Sequence, residues 1–276
     1  MENKTQIQLE KLLQALVKHD TKEIDNIYEH VQPIDLAEEI EELEDNQLEY
    51  LCNHIDDEKL AEILEESDEE LQADIIDCLD NRRILRLFNL LPKDIIVDIL
   101  GELPIGKRKQ LMTLMKTDDQ KIIEQLLGYE EDSAGGLMTT EYIALNDNLT
   151  MINVLKKIKE IGPKTEVIET IFVLNHKKQL IGTADLRDIL VSDGDTTLRE
   201  IMDDQIISVF PETDQEEVSL LVSKYDLTTI PVVNKNQALL GIITVDDIID
   251  VIQEEHTEDM LQMHGVSKEE SLDSTL

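Results

Sequence analysis

Between residues 137 and 252 the chain repeats itself, and an internal repeat limits the possible folds more than any single motif does. Leu137-Met138 matches Ile201-Met202, and Thr150 matches Asp214, at one offset of 64 residues. Gly182 then matches Gly241, and Asp188 matches Asp247, at an offset of 59. The difference falls in Ile161–Thr170, where the first copy is longer. Each copy reads as short strand, helix, strand, polar turn, strand, helix. In the first copy the two apolar strands are TIFVLN and LIGTAD around HKKQ; in the second they are TIPVVN and LLGIIT around KNQA. Apolar runs flanking a polar turn predict hairpins packed under helices.

Residues 1–130 read differently, as helix throughout. Apolar residues recur at three- and four-residue steps in Leu9, Leu12, Leu13 and Leu16, and again in Leu36, Ile40 and Leu43. Breaks follow at intervals of about 12 residues, and a weak repeat of about 24 aligns residues 62–79 with 86–103. Pro33, Pro92 and Pro104 sit at the breaks. The pattern predicts a solenoid-like helical stack. Composition shifts at GYEEDSAGG, 128–136, which reads as the entry to the repeat. The expected class is therefore α+β: an all-α superhelical domain over 1–130, then two α/β copies over 137–199 and 200–256, with 257–276 leading onward.

Charge narrows the function. Sixty-two acids against 25 bases leave a net charge of −37, a field that repels nucleic acid and anionic membrane and favours small cations. Part of it is concentrated after Gly241. On a helix there, Asp247, Asp250, Glu254 and Glu258 share one stripe, Glu255 and Asp259 flank it, and Ile248, Ile249, Ile252 and Met260 point the other way. Like charges at i,i+4 repel, so the stripe is either a solvated face or a seat for a cation. Cys52 and Cys78 lack metal-site or CxxC spacing and read as reduced thiols of a cytosolic protein. No apolar run is long enough to span a bilayer, and the polar N-terminus does not read as a signal peptide. With no nucleophile elbow, phosphate-cradling loop or Cys/His pair, an enzyme is not expected.

The repeat resembles a tandem pair of CBS domains, through LMT at 137–139, TTIPVVN at 228–234 and LLGIITVDDI at 239–248. With the junction YEEDSAGGLMTTEY (129–142) and the acidic helical stretch before it, the whole chain resembles the MgtE family of magnesium transporters and channels. That family carries a transmembrane pore after its CBS pair. The resemblance thus implies the regulatory region at the cytoplasmic face of a membrane, working with a pore domain absent from these residues. It also implies a homodimer through the CBS copies, for which the apolar helices at 151–158 and 216–225 are the expected contact.

The implied cofactor is Mg2+. By position, the resemblance implies ligands at Glu62, Asp94 and Asp98 in the helical domain and at Asp214, Glu216, Asp226, Asp247 and Asp250 in the CBS pair. It adds a carbonyl from Gly136 and carboxylates from Glu255, Glu258 and Asp259. Asp214 reads equally well as a helix N-cap. CBS pairs also hold adenine nucleotides such as ATP, which makes a nucleotide sensor the alternative. In the second copy Thr244-x-x-Asp247 fits that pattern, although Asp188 and Asp247 read equally as caps near the N-terminal ends of their helices. In the first, Arg187 and Asp188 are the candidate phosphate and ribose contacts, with an acid, Asp185, where a hydroxyl is expected. Leu227 offers no ring for a base to stack on. A third reading is an acidic scaffold for a partner protein.

Overall fold

The computed structural model describes residues 11–253 except 13, 19, 29, 42 and 166. These fall into two compact units, divided between Gln125 and Leu126.

Short helices in the first unit start on a fixed beat. N-cap positions fall at Gln32, Glu44, Asp56, Asp68, Asp80, Pro92 and Pro104, each 12 residues after the last. Asp56, Asp68 and Asp80 accept backbone N–H bonds of 2.8–2.9 Å, caps of about 1 kcal/mol apiece. After α1 (Thr21–Tyr28) come α2 (Pro33–Ile40), α3 (Asp45–His54), α4 (Asp57–Glu65), α5 (Glu69–Asp77) and α6 (Asn81–Leu87). Then follow α7 (Lys93–Glu102), α8 (Ile105–Leu114) and α9 (Thr117–Leu126).

From α2 to α8 each helix packs on the one two places along. One row runs α2, α4, α6, α8 and the other α3, α5, α7. The 24-residue repeat is thus a packing repeat: Leu36, Leu60 and Ile84 fill one position of the first row, and Leu51, Ile75 and Ile99 one of the second, all buried. Asp57 ties α4 to α6 by bonds of 2.8 Å from Arg83 Nε and 2.6 Å from Arg86 Nε. The Arg86 bond above all holds the Asp57 carboxyl below the usual carboxylate range. Arg83 also donates to the carbonyls of Cys52 and Ile55, covering the exposed end of α3.

In the second unit the first copy is built from α10 (Ala134–Leu137), β1 (Ala144–Asn146), α11 (Met151–Ile161), β2 (Thr170–Leu174), β3 (Leu180–Asp185) and α12 (Leu186–Val191). The second copy has α13 (Leu198–Ile201), α14 (Gln215–Tyr225), β4 (Thr229–Val233), β5 (Leu239–Thr244) and a helix α15 over 245–253. Both hairpins are antiparallel, and β1 runs parallel to β2. A parallel bridge between Val209 and Val232 repeats the Leu145–Val173 pair of the first copy. The turns match as well. Asn175 and Asn234 each accept two backbone N–H bonds through the side-chain oxygen, and Lys178 and Gln237 take the left-handed conformation at φ 59° and 62°.

The two copies exchange their lead-in segments. Thr139, from the first copy, pairs with Ile242 of β5, while Asp203, from the second, pairs with Thr183 of β3. Both bridges have two backbone bonds of 2.8–3.0 Å. Gly182 and Gly241 make the exchange possible. A Cβ at Gly182 would lie 2.8 Å from Asp203 O, and one at Gly241 would lie 2.7 Å from Thr139 O. Leu198 of α13 accordingly completes the core of the first copy beside Val154, Ile171, Val173 and Ile189. The hairpin ends meet at Gln179 and Ala238, equivalent residues of the two copies, which marks a pseudo-two-fold axis.

Candidate functional site

The acidic positions fall into separate local groups. Glu62 is exposed on α4, while Asp94 and Asp98 are half-buried on α7, four residues apart and so on one face. Asp214 is the N-cap of α14; its carboxylate accepts the Glu216 N–H at 2.9 Å, and both side chains are exposed at the positive end of that helix.

The segment carrying Gly136 is brought to the same helix end. Ser133 pairs with Asp214, Ala134 N donates to Thr213 O at 2.7 Å, and Gln215 N donates to Asp132 O at 3.0 Å. A Cβ at Gly136 would come within 2.4–2.6 Å of the Glu131 and Glu130 carbonyl oxygens, so only glycine fits under that acidic turn. Asp226 ends α14 in the left-handed conformation, φ 51° and ψ 44°, exposed at the negative end of the helix. The left-handed backbone suits Asp better than most non-glycine residues, but the helix dipole disfavours an acid at that end.

Asp247 is not part of an open stripe. It is half-buried, and its Oδ2 accepts both the Thr244 hydroxyl, at 2.6 Å, and the Thr244 N–H, at 3.1 Å, closing the start of α15. Burial pushes its carboxyl above the usual range, with Asp246 and Asp250 adding to the rise and the Thr244 bonds opposing it. Asp250 is exposed on the next turn. Ile249, placed by its spacing away from the acidic stripe, is 47% exposed, while Ile248 and Val251 are buried. Only a narrow edge of α15 meets the sheet. Glu255, Glu258 and Asp259, with residues 257–276, lie outside the described residues.

The equivalent place in the first copy is open. Asp185 occupies the N-cap of α12 without a side-chain cap bond, and Asp185, Arg187 and Asp188 are all exposed. The first copy thus leaves these polar groups exposed where the second has already joined Thr244 to Asp247.

Among the described residues no three His, Cys, Asp or Glu side chains come together as a metal cage. The donors are hard carboxylate oxygens in ones and twos, which fits Mg2+, an ion that keeps several waters and takes one or two carboxylates. Cys52 is buried in α3, and Cys78 lies half-buried just past the end of α5. Burial pushes the Cys52 thiol up to about 12.

Residues 31–132 match the MgtE intracellular N domain, and residues 134–193 and 198–254 each match the CBS domain. A crystal structure of the cytosolic domain of the Mg2+ channel MgtE in complex with ATP is 35% identical, with a TM-score of 0.83, over 88% of this chain and 99% of its own. The chain belongs to the MgtE family. A crystal structure of the soluble part of a magnesium transporter superposes with a TM-score of 0.82 at 28% identity, over 91% of this chain and 99% of its own. The magnesium transporter MgtE of Thermus thermophilus is 41% identical over 158 residues, which are 57% of this chain and 35% of the relative. The chain spans 34–41% of the length of the curated MgtE relatives it matches. MgtE is a transport and regulatory family and not one of enzymes. No helix among the described residues is long and apolar enough to cross a membrane.

Proposed function

We propose that this chain is the magnesium-sensing regulatory region of an MgtE-type transporter, working at the cytoplasmic face of a membrane beside a pore domain. The observation that carries the reading is the likeness, over 88% of the chain, to the cytosolic domain of an Mg2+ channel. Carboxylates in the helical unit (Glu62, Asp94, Asp98) and in the CBS pair (Asp214, Glu216, Asp226, Asp247, Asp250) hold Mg2+. The Gly136 carbonyl and, further on, Glu255, Glu258 and Asp259 extend the set.

The physics is repulsion reversed by a divalent ion. Two carboxylates about 6 Å apart at an effective dielectric near 20 repel by roughly 3 kcal/mol. Inverting a 1:99 equilibrium takes about 5.5 kcal/mol, so two or three weak sites suffice. Mg2+ thus draws the acidic faces of the helical unit and the CBS pair together and favours the closed pore, and loss of Mg2+ releases them. Ile152, Leu190, Val191 and Leu220, 63–78% exposed on α11, α12 and α14, supply apolar surface for a homodimer through the CBS copies.

A second reading is favoured by the open first copy. There Arg187 and Asp188 contact an adenine nucleotide such as ATP, as a modulator of the magnesium response.

Small-angle scattering across a magnesium titration tests the proposal, with calcium and ATP as separate arms. Compaction at millimolar Mg2+ is expected, and Asp94→Asn/Asp98→Asn should raise the midpoint several-fold. Dimensions that ignore Mg2+ but respond to ATP would replace the magnesium reading with the nucleotide one.

A further inference from the structure

The two CBS copies treat one equivalent place differently. In the first copy Arg199 of α13 is bound to Asp147. The Arg199 backbone N–H donates to Asp147 O at 2.9 Å, and its Nε and Nη2 lie 2.8 and 2.6 Å from Asp147 Oδ2. At the 64-residue offset the equivalent pair is Gly135 of α10 and Pro211. The same backbone bond is present, from Gly135 N to Pro211 O at 2.9 Å, but neither side-chain charge is.

The Tyr129 ring lies against Gly135, where a Cβ would come within 2.5 Å of its Cγ. A cavity of about 330 Å3 adjoins the ring, at the small end of the range for small-molecule sites. Tyr129, Phe210, Pro211 and Leu240 give it aromatic and apolar walls, while Glu212 and Lys235, both exposed, give it one charge of each sign. The walls are held by local bonds. Phe210 and Thr213 close a turn, with the Phe210 N–H donating to Thr213 Oγ1 at 3.1 Å and the Thr213 N–H to Phe210 O at 3.0 Å. The Asn234 side chain fixes the turn that carries Lys235 by accepting the Asn236 and Ala238 N–H groups at 2.9 and 3.1 Å.

We propose that this cavity binds a free guanidino acid of the arginine kind. The ligand brings to the second copy the group that the first copy supplies from Arg199. A guanidinium is flat, permanently charged and weakly hydrated, so it stacks on aromatic rings and pairs with a carboxylate through two parallel bonds. Tyr129 and Phe210 supply the rings, and Glu212 the carboxylate. Lys235 receives the carboxylate of the ligand, which a bare cation lacks. The net charge of −37 gathers cations of every kind at the surface. Selection among them comes from the rings and from the pair of opposite charges.

Isothermal titration of the whole 276-residue chain tests the site, in about 0.15 M salt to screen the general field. Arginine should bind at one site per chain. Citrulline, which has the shape without the charge, and lysine, which has the charge without the plane, should each bind at least roughly tenfold more weakly. Phe210→Ala and Glu212→Gln, both at exposed positions, should each weaken arginine roughly threefold or more, with the circular dichroism unchanged. Lys235→Gln should weaken arginine and leave agmatine, which has no carboxylate, as it was. Absence of heat with arginine would overturn the proposal. Lysine or citrulline binding as well as arginine, or an affinity that survives both Phe210→Ala and Glu212→Gln, would do the same. Agmatine equal to arginine would remove the role of Lys235 and with it the acid. Tighter binding of a peptide ending in arginine would overturn the free ligand in favour of a protein terminus.

Discussion

The two CBS copies share a backbone and differ in charge. Residues 150–200 hold eight Lys and Arg and eight Asp and Glu, whereas residues 201–253 hold two and ten. At the N-terminus of the hairpin's following helix, the first copy leaves Asp185 and Asp188 exposed and the second joins Thr244 to Asp247. At the long helix, Thr150 makes no cap bond to the backbone and Asp214 does. What the copies keep is what the fold needs: buried strand residues, the asparagine turns and the two glycines at the exchanged strands. What they vary is surface chemistry. On the reading proposed here the second copy is the cation-facing half and the first is the half that tolerates an anionic ligand.

The symmetry of the exchange can be broken most severely at its glycines. Gly182→Ala and Gly241→Ala should each cost about 2–3 kcal/mol in urea unfolding, because each new methyl meets a carbonyl oxygen as well as a mobile methionine. A large cost at one and none at the other would mean that the two crossings are not equivalent.

The next contrast is electrostatic. A carboxyl raised in the folded state, as burial raises Asp247, adds stability that is complete below its unfolded pKa of about 3.9. That contribution is lost as pH rises through the higher folded value. Asp247→Asn cannot titrate, so its stability relative to the parent should climb over that window. Stability curves against pH that stay parallel would show that Asp247 is well solvated. Asp188→Asn at the exposed equivalent should fall within about 0.5 kcal/mol of the parent at neutral pH.

Smallest is the difference in capping. Asp214→Ala should cost about 1 kcal/mol and Thr150→Ala less than about 0.5 kcal/mol. Equal losses would remove the cap as a distinction between the copies.

Much of this was legible in the residues. The breaks of the first unit follow from caps and prolines spaced by 12, and the hairpins follow from apolar runs around asparagine turns. The exchange was not, because a repeated sequence looks the same whether its segments pair within a copy or across copies. Gly182 and Gly241 carried the available signal, since glycine inside a strand marks a close backbone approach. The stripe after Gly241 misled at Ile249, while Asp247 takes the capping place the sequence also offered it. Helical periodicity fixes angles around an axis but not how much of the circumference the neighbours cover. Candidate magnesium positions leave no spacing signature, because the ion takes few protein ligands and those come from distant parts of the chain.

The crossing of Thr139 to β5 also sets a timetable for synthesis. β3 has an open edge until Asp203 is made, and Thr139 waits roughly a hundred residues for Ile242, about 5–20 s at ribosomal speed. Through that interval the nascent chain displays unpaired strand edges, the surfaces most prone to join a neighbouring chain. The first copy therefore has no finished state of its own on the ribosome, and the pair is completed only when the last strand emerges.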